Sequence, residues 1–196
     1  MNLHRKLLER KAAGRPVSIG LIGAGKFGSM FLTQVRSTDG MHLVGLADLF
    51  PDRAKERLQI CGWQPEQFAA KSLSEAVKTG QTRITDDAMS LINNPQIEVI
   101  IEATGDPANG IKFCLAAIEQ AKHIVMVNVE ADALAGPLLA RKAQEKGVVY
   151  SLAWGDQPAL VCEHVDWARA CGFKVASAGK GTRYHPTYHR STPETV

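Results

Sequence analysis

Residues 17–28, VSIGLIGAGKFG, decide the fold, because an apolar run ends there at three spaced glycines. The run predicts a β-strand, and the glycines predict a tight turn into a helix over residues 27–36. In the dinucleotide-binding fingerprint, Gly23 allows the turn, Gly25 lets a pyrophosphate approach the backbone, and Gly28 lets the helix pack on the strand. The stretch therefore predicts a cofactor site, and an α/β turn without a ligand is the alternative.

The surroundings of the glycines strengthen this interpretation. The backbone amides near Lys26 and Phe27 would lie in the first turn of the helix and donate hydrogen bonds to the phosphates. A second predicted strand, residues 42–47, ends in Asp48, about 20 residues beyond the last glycine, where an acid meets the adenosine ribose. That carboxylate favours NAD because it repels a 2′-phosphate, but Arg53 is close enough to compensate. The predicted cofactor is therefore NADP or NAD.

Composition and charge exclude several classes of protein. The 196 residues are 45% hydrophobic and 22% charged, with a formal net charge of +3, which are ordinary values for a globular chain. So small a charge predicts no nucleic-acid partner, and the absence of a long apolar run predicts no membrane span. The four cysteines form no C-x-x-C pair, which favours free thiols in a cytoplasmic protein over a zinc site.

Apolar strands alternate with helices along most of the chain. This pattern predicts an α/β fold, a doubly wound and mostly parallel sheet of the Rossmann type. Beyond the first two, strands are predicted at 83–85, 97–102, 123–128, 148–152 and 173–178, and the longer later helices at 107–121, 133–146 and 158–171. The predicted organisation is an N-terminal helix within residues 1–15, an NAD(P)-binding domain at 16–178, and a segment at 179–196 that is either a disordered tail or the start of a substrate region.

Ligands of doubly wound sheets bind beyond the carboxyl ends of the strands. This rule selects polar or small residues that follow predicted strands: Ala103, Thr104, Gly105, Asn128 and the pair Gly155-Asp156. The small residues would leave room for the nicotinamide-side ribose and phosphate, and a structural turn is the alternative. We expect these segments to lie along one edge of the sheet together with the glycine turn.

Two charged residues are candidates for catalysis. Lys180 lies between glycines, and a cation there could stabilise an oxyanion, although a solvated loop lysine fits equally well. Glu130 follows a strand and could orient a substrate hydroxyl or the ribose, with an exposed loop acid as the alternative. His185 and His189 have metal-ligand spacing, but Pro186 breaks a helix there, so no metal site is predicted.

Four stretches resemble one family of oxidoreductases: residues 19–28 (IGLIGAGKFG), 101–105 (IEATG), 151–160 (SLAWGDQPAL) and 178–184 (AGKGTRY). They are similar to the homoserine dehydrogenase-like enzymes that carry a C-terminal SAF domain, which include the 1-deoxy-D-xylulose-5-phosphate reductoisomerase-like enzymes. GDQP and GKGT are the motifs most particular to this group. The resemblance implies an NAD(P)-dependent oxidoreductase acting by hydride transfer on a small polar carbonyl or hydroxyl compound, phosphorylated compounds included.

This sequence departs from the pattern of the family at one position, and the resemblance also implies which part of the family's enzymes the chain represents. Homoserine dehydrogenases place a lysine after the asparagine at the end of the fifth strand, whereas Val129 and Glu130 follow Asn128 here, which argues against homoserine as the substrate. Members of the group are longer and continue into a catalytic, dimerising region. The resemblance therefore implies that this chain is the dinucleotide-binding half, with Lys180 at the junction, and it leaves a homodimer open.

Two other functions fit the same glycine turn. One is a non-catalytic NAD(P)-binding sensor or interaction module, and the other is a methyltransferase, which the glycine spacing disfavours. The identity of the substrate, the preference between NAD and NADP, and the oligomeric state stay open from the sequence.

Overall fold

A computed structural model describes residues 2–155 and 157–179, with the side chains of residues 157 and 158 left out. The chain divides into two units between Ala153 and Trp154. The strands are β1 Val17–Ile22, β2 Met41–Ala47, β3 Arg83–Thr85, β4 Val99–Glu102, β5 His123–Met126 and β6 Tyr150–Leu152. The helices are α1 Leu3–Ala12, α2 Lys26–Val35, α3 Pro51–Ile60, α4 Leu73–Thr79, α5 Ala88–Ile92, α6 Pro107–Glu119, α7 Val129–Lys146 and α8 Gln157–Ala170.

The six strands form one parallel sheet in the order β3-β2-β1-β4-β5-β6. Each parallel connection must cross the sheet, and the helices between the strands supply these crossovers. The order reverses direction between β1 and β4, which is the switch point where doubly wound sheets bind ligands. The predicted fold class is confirmed.

Alternation along the strands divides the core into two layers. Leu21 of β1 packs in the layer that contains Leu32 of α2 and Leu58 of α3. Its neighbour Ile22 points to the other face and packs with residues of α4, α5, α6 and α7, among them Leu91. Full burial of each such side chain contributes about 1.5–3 kcal/mol, so both faces of the sheet are stabilised by helices.

Two glycines face each other where β1 and β2 pair. The register shifts after Ile19, and Gly20 then lies opposite Gly45. A Cβ atom on Gly45 would collide with the Leu91 side chain of α5. The missing side chain therefore lets α5 pack close to the sheet.

Side-chain caps begin α1, where Asn2 accepts from the Arg5 amide, and four later helices. Ser72, Asp87, Asp106 and Asn128 each accept a hydrogen bond from the backbone N–H three residues further along. Each cap satisfies one of the unpaired amides of a first helical turn and contributes about 1 kcal/mol. The caps fix where α4, α5, α6 and α7 begin.

At the amino ends of the strands, charged side chains form an ion pair or donate hydrogen bonds to backbone carbonyls. The Arg10 guanidinium lies 2.6 Å from the Glu98 carboxylate, and this ion pair ties α1 to the residue before β4. The buried Lys122 ammonium donates to the carbonyls of Asn94 and Ile97, both at 2.7 Å. These contacts close the loop that leads into β4.

Two sequence predictions differ from the structure by more than two residues. Helix α7 begins at Val129 rather than at residue 133, because the Asn128 side chain caps the chain directly after β5. The strand predicted at 173–178 is wrong: residues 173–179 form no regular element and are mostly exposed. An apolar sequence forms a strand only where a neighbouring strand pairs with its backbone, and no described strand pairs with this segment.

Candidate functional site

The glycine turn touches the loop that follows β4. Gly23 has a φ of +100°, and a Cβ atom there would lie 2.6 Å from the carbonyl oxygen of Ala103. A Cβ on Gly28 would meet the carbonyl of Gly23. Both glycines are therefore required by the backbone contacts that join β1, α2 and β4.

Gly25 is different, because its surroundings are open. A Cβ atom on Gly25 would have no heavy atom within 4 Å. Gly25 is also the N-cap of α2, and no side chain caps the amides of that first turn. Free amides at a helix N-terminus bind anions, so this end of α2 fits a phosphate group and holds space for one.

A pocket of about 410 Å³ lies at this edge of the sheet. Its lining comes from the ends of β1, β2 and β4, from the segment after β3, and from α3 and α6. The lining residues are Ile22, Gly23, Ala24, Gly25, Ala47, Asp48, Leu49, Phe50, Arg53, Ala54, Arg57, Asp86, Asp87, Ala88, Met89, Ala103, Thr104 and Phe113.

Asp48 joins two walls of the pocket. One carboxylate oxygen accepts from the Ala24 amide of the glycine turn at 2.8 Å, and the other accepts from the Phe50 amide at 2.9 Å. The carboxylate therefore holds the turn after β1 against the segment after β2. Each carboxylate oxygen can accept a second hydrogen bond, so Asp48 can still receive a ribose hydroxyl.

Two arginines of α3 line the same pocket as Asp48. The guanidinium of Arg53 lies 5.2 Å from the centre of the Phe50 ring, a cation–π contact. Arg57 follows one helical turn later, and both arginines are exposed. Sequence reasoning missed Phe50 and Arg57, although i, i+4 spacing from Arg53 and the helix start after β2 could have indicated them.

Two acids that follow β3 also line the pocket. Asp86 and Asp87 follow β3, and Asp87 caps α5 by accepting from the Ser90 amide at 3.2 Å. Sequence reasoning did not select them as site residues. The rule that ligands bind beyond strand ends could have selected them as well.

Behind the β4 loop lies a layer of buried polar side chains. Glu102 is fully buried, and its carboxylate accepts from the Thr104 amide at 3.0 Å. The Asn128 amide, also buried, donates to the carbonyl of Asp106 at 2.9 Å. Two side chains at the ends of β4 and β5 thus hold the loop that lines the pocket.

Deeper groups of this layer stay protonated. Burial raises the pKa of the Cys114 thiol to about 12, with the carboxylates of Glu102 and Asp132 adding to the effect. Burial also raises the pKa of Tyr150, whose hydroxyl donates to Asp132 at 2.6 Å. A protonated, buried thiol is a poor nucleophile, so Cys114 serves packing rather than chemistry.

The geometry matches a known family. The family model described as homoserine dehydrogenase, NAD binding domain, matches residues 23–152, from the glycine turn to the end of β6. The chain belongs to this family. Its cofactor is NAD or NADP, and the open Gly25 turn fits the pyrophosphate that both share. Residues 155–196 match a second model, described as oxidoreductase DRL, catalytic domain, so the chain carries an NAD(P)-binding oxidoreductase domain.

Relatives extend well beyond this NAD-binding domain. Homoserine dehydrogenase from Pseudomonas aeruginosa is 30% identical over 135 residues, which are 69% of this chain and 28% of that protein. The crystal structure of homoserine dehydrogenase from Thiobacillus denitrificans has a TM-score of 0.54 at 22% identity, over 71% of this chain and 29% of that one. The chain thus spans less than a third of the homoserine dehydrogenases to which it is similar.

The fold also occurs in other oxidoreductases. Biliverdin reductase from Synechocystis, solved with biliverdin and NADP+, has a TM-score of 0.56 at 21% identity. The alignment covers 80% of this chain and 43% of that one. At this identity the likeness shows the fold alone.

Several residues predicted for the site of this homoserine dehydrogenase-type domain lie outside the pocket lining. Lys26 and Phe27 are exposed in the first turn of α2, and Gly105 is exposed in the β4 loop. Glu130 is exposed in the first turn of α7 rather than in a loop, because Asn128 starts that helix. Lys180 and Asp156 lie outside the described residues.

The described residues contain no group of three His, Cys, Asp or Glu side chains that could hold a metal ion. The predicted histidine pair, His185 and His189, lies outside them. None of the described helices has the length and apolarity needed to cross a bilayer.

Proposed function

We propose that this chain is the dinucleotide-binding portion of an oxidoreductase that exchanges hydride with a small polar carbonyl or hydroxyl compound, phosphorylated compounds included. The observation that carries the proposal is the open Gly25 turn, whose uncapped helix amides border a pocket at the switch point of the sheet. The nicotinamide of a bound NAD(P)(H) would supply or accept the hydride. The protein must then bind the cofactor, orient it and stabilise charge on the substrate.

We assign the cofactor contacts by position along the edge. The turn of Gly23, Gly25 and Gly28 with Lys26 and Phe27 would hold the pyrophosphate. Asp48, after β2, would take the adenosine ribose. On the other side of β1, the loop of Ala103, Thr104 and Gly105, with Asn128 behind it, would take the nicotinamide side, because β2 and β4 flank β1.

For catalysis we propose two charged residues. The Lys180 ammonium would stabilise the negative charge that develops on a substrate oxygen, and Glu130 would orient a hydroxyl group. The match of residues 155–196 to an oxidoreductase catalytic domain supports the placement of Lys180 in a substrate region. A Lys180→Ala variant of the full-length protein is expected to keep cofactor affinity and lose turnover of a panel of small aldehydes and ketones.

Finer assignments follow from the same resemblance. We propose membership in the SAF-domain group, supported by the motifs within residues 151–184 and by the DRL-type match. The proposed segments are an N-terminal helix within residues 1–15, an NAD(P)-binding domain at 16–178, and the start of a substrate region at 179–196. A cytoplasmic location fits the four free cysteines, and a small-molecule substrate and a homodimer are the proposed partners.

Titration with NADH and NADPH, followed by fluorescence, tests the cofactor site. We expect saturable binding that Gly25→Val abolishes, because a branched side chain would fill the space of the pyrophosphate. Met30→Ala is the matched control, since Met30 is exposed on the same helix and does not line the pocket. The Asp48→Ala variant reports which of the two cofactors the carboxylate favours.

The outcomes separate the hypotheses. A folded wild-type chain that binds neither nucleotide would overturn the proposal. Binding without turnover by the full-length protein would instead favour the sensor function. Preference for S-adenosylmethionine over NADH would favour a methyltransferase.

A further inference from the structure

Glu102 is an unusual residue for a buried strand end. Its side chain has 0% exposure, and one carboxylate oxygen, Oε1, accepts from the Thr104 amide. The other, Oε2, has no hydrogen-bond partner among the described residues. A buried acceptor without a donor costs stability, so folding alone gives no reason for a carboxylate at this position.

Asn128 holds the same loop from the end of β5. Its side-chain oxygen accepts from the Ala131 amide at 3.1 Å and starts α7. Its side-chain nitrogen donates to the Asp106 carbonyl at 2.9 Å and lies 3.5 Å from the Thr104 hydroxyl. One side chain therefore links the start of α7 to the loop after β4.

Gly110 shows that the two side chains share one space. A Cβ atom on Gly110 would lie 2.6 Å from the Asn128 nitrogen and 2.9 Å from Glu102 Oε2. The α6 backbone thus approaches both groups closely. The loop of residues 104–106 is held at its first amide by Glu102 and at its last carbonyl by Asn128.

The held loop forms one wall of the cofactor pocket. Ala103 and Thr104 line that pocket, and the Ala103 carbonyl lies against Gly23 of the glycine turn. Neither Glu102 nor Asn128 is among the lining residues. Any effect of these two side chains on a ligand must therefore act through the loop.

We propose that Glu102 and Asn128 are positioning residues that hold the loop of residues 104–106 against the nicotinamide half of the bound cofactor. The proposal rests on the cofactor site described under Proposed function. The loop follows β4, on the side of β1 opposite Asp48, so the adenosine half of the cofactor does not depend on it. On this proposal, the carboxylate at position 102 is retained because it positions the loop, although its unpaired oxygen costs stability.

Two conservative variants test the proposal. Glu102→Gln keeps the shape and an acceptor for the Thr104 amide but replaces a charge-assisted hydrogen bond with a weaker neutral one. Asn128→Ser keeps an N-cap oxygen for α7 and removes the donor to the Asp106 carbonyl. Asp132→Asn is the matched control, because this nearby acid accepts from Tyr150 and, among the described residues, its side chain makes no hydrogen bond to the loop.

The affinities for NADH or NADPH, whichever wild type binds more tightly, and for the adenosine-half probes ADP and 2′,5′-ADP are then measured. We expect Asn128→Ser to bind the whole dinucleotide about tenfold more weakly, since a lost hydrogen bond is worth about that factor. Glu102→Gln should weaken dinucleotide binding in the same direction but by less, since its hydrogen bond is weakened and not lost. Affinity for the adenosine-half probe should stay within about twofold of wild type, as should all affinities of Asp132→Asn.

The results distinguish this proposal from the cofactor site itself. Equal weakening of the dinucleotide and of the adenosine-half probe would assign a general structural role and overturn the positioning role. Unchanged dinucleotide affinity in a folded Asn128→Ser variant, checked by thermal melting, would overturn it as well. Absence of dinucleotide binding by wild type would contradict the proposed function first.

Discussion

The two ends of the sheet use their polar groups differently. The pocket at the amino ends, about 330 Å³, is lined by Asn93, Pro95, Ile97, Glu98, Gln120, Ala121, Lys122 and His123. There the Lys122 ammonium donates to two carbonyls, and Glu98 is paired with Arg10. At the carboxyl ends, Gly25 is open and the start of α2 has no side-chain cap.

This difference separates groups used for folding from groups kept for a ligand. The helices that follow the strands begin at the carboxyl ends of the sheet, so the free helix amides that can bind an anion lie at that end. We expect substitutions at the amino ends to change stability and leave cofactor affinity intact. Substitutions at the open positions of the carboxyl ends should do the reverse.

The largest effect is expected within the glycine turn, where both kinds of position lie two residues apart. Gly23→Ala should lower the free energy of unfolding by about 3 kcal/mol, because of its positive φ and the Ala103 carbonyl. Gly25→Ala should change it by less than about 1 kcal/mol and weaken NADH binding. Urea unfolding and NADH titration of both variants measure the difference, and equal destabilisation would contradict this division.

A smaller effect is expected at the amino ends. Lys122→Met should lower the free energy of unfolding by about 2 kcal/mol, because two buried carbonyls lose a charged donor. NADH affinity should stay within about twofold of wild type. Lys142→Met, at an exposed position of α7, is the control and should be nearly neutral. A loss of NADH affinity in Lys122→Met would show that the two ends are coupled.

The smallest effect is expected for the ion pair of α1. Partial burial raises the pKa of Glu98, but hydrogen bonds from Arg10 and Ser18 outweigh it and hold the pKa below the ordinary value of 4.5. The charged form therefore stabilises the fold above pH 4.5, and this contribution is lost as the pH falls through the lowered pKa.

Glu98→Gln should accordingly cost less than about 1 kcal/mol at pH 7, since both partners are more than one-third exposed. Its difference from wild type should shrink as the pH falls below 4.5. Thermal melting across pH 3–7 checks the trend, and a gap that widens at low pH would contradict it.

The sequence predicted the parts of the site that depend on neighbouring residues. Glycine spacing located the turn, and the position of Asp48 after an apolar strand located a residue that lines the pocket. Helix caps are predictable in the same way, because a cap such as Ser72 or Asp87 depends on the amide three residues further along. The N-terminal helix predicted within residues 1–15 is confirmed as α1 for the same local reason.

Contacts between distant parts of the chain were not predictable in this way. Asn128 donates to the carbonyl of Asp106, 22 residues earlier, and no local pattern shows this bond. Glu102 resembles any polar residue at a strand end, so its burial depends on α6 and on Gly110. The strand predicted at 173–178 was wrong because pairing, rather than apolar sequence, makes a strand.

The close approach of α5 to the sheet has a consequence for how this sequence can evolve. Because a Cβ atom on Gly45 would collide with the end of the Leu91 side chain, an alanine at position 45 requires a smaller or differently branched residue at position 91. A smaller residue at 91 alone would leave a cavity in the core, because Leu91 is fully buried, so the two substitutions are expected together. Among homologous chains, positions 45 and 91 should therefore covary, although 46 residues separate them in sequence.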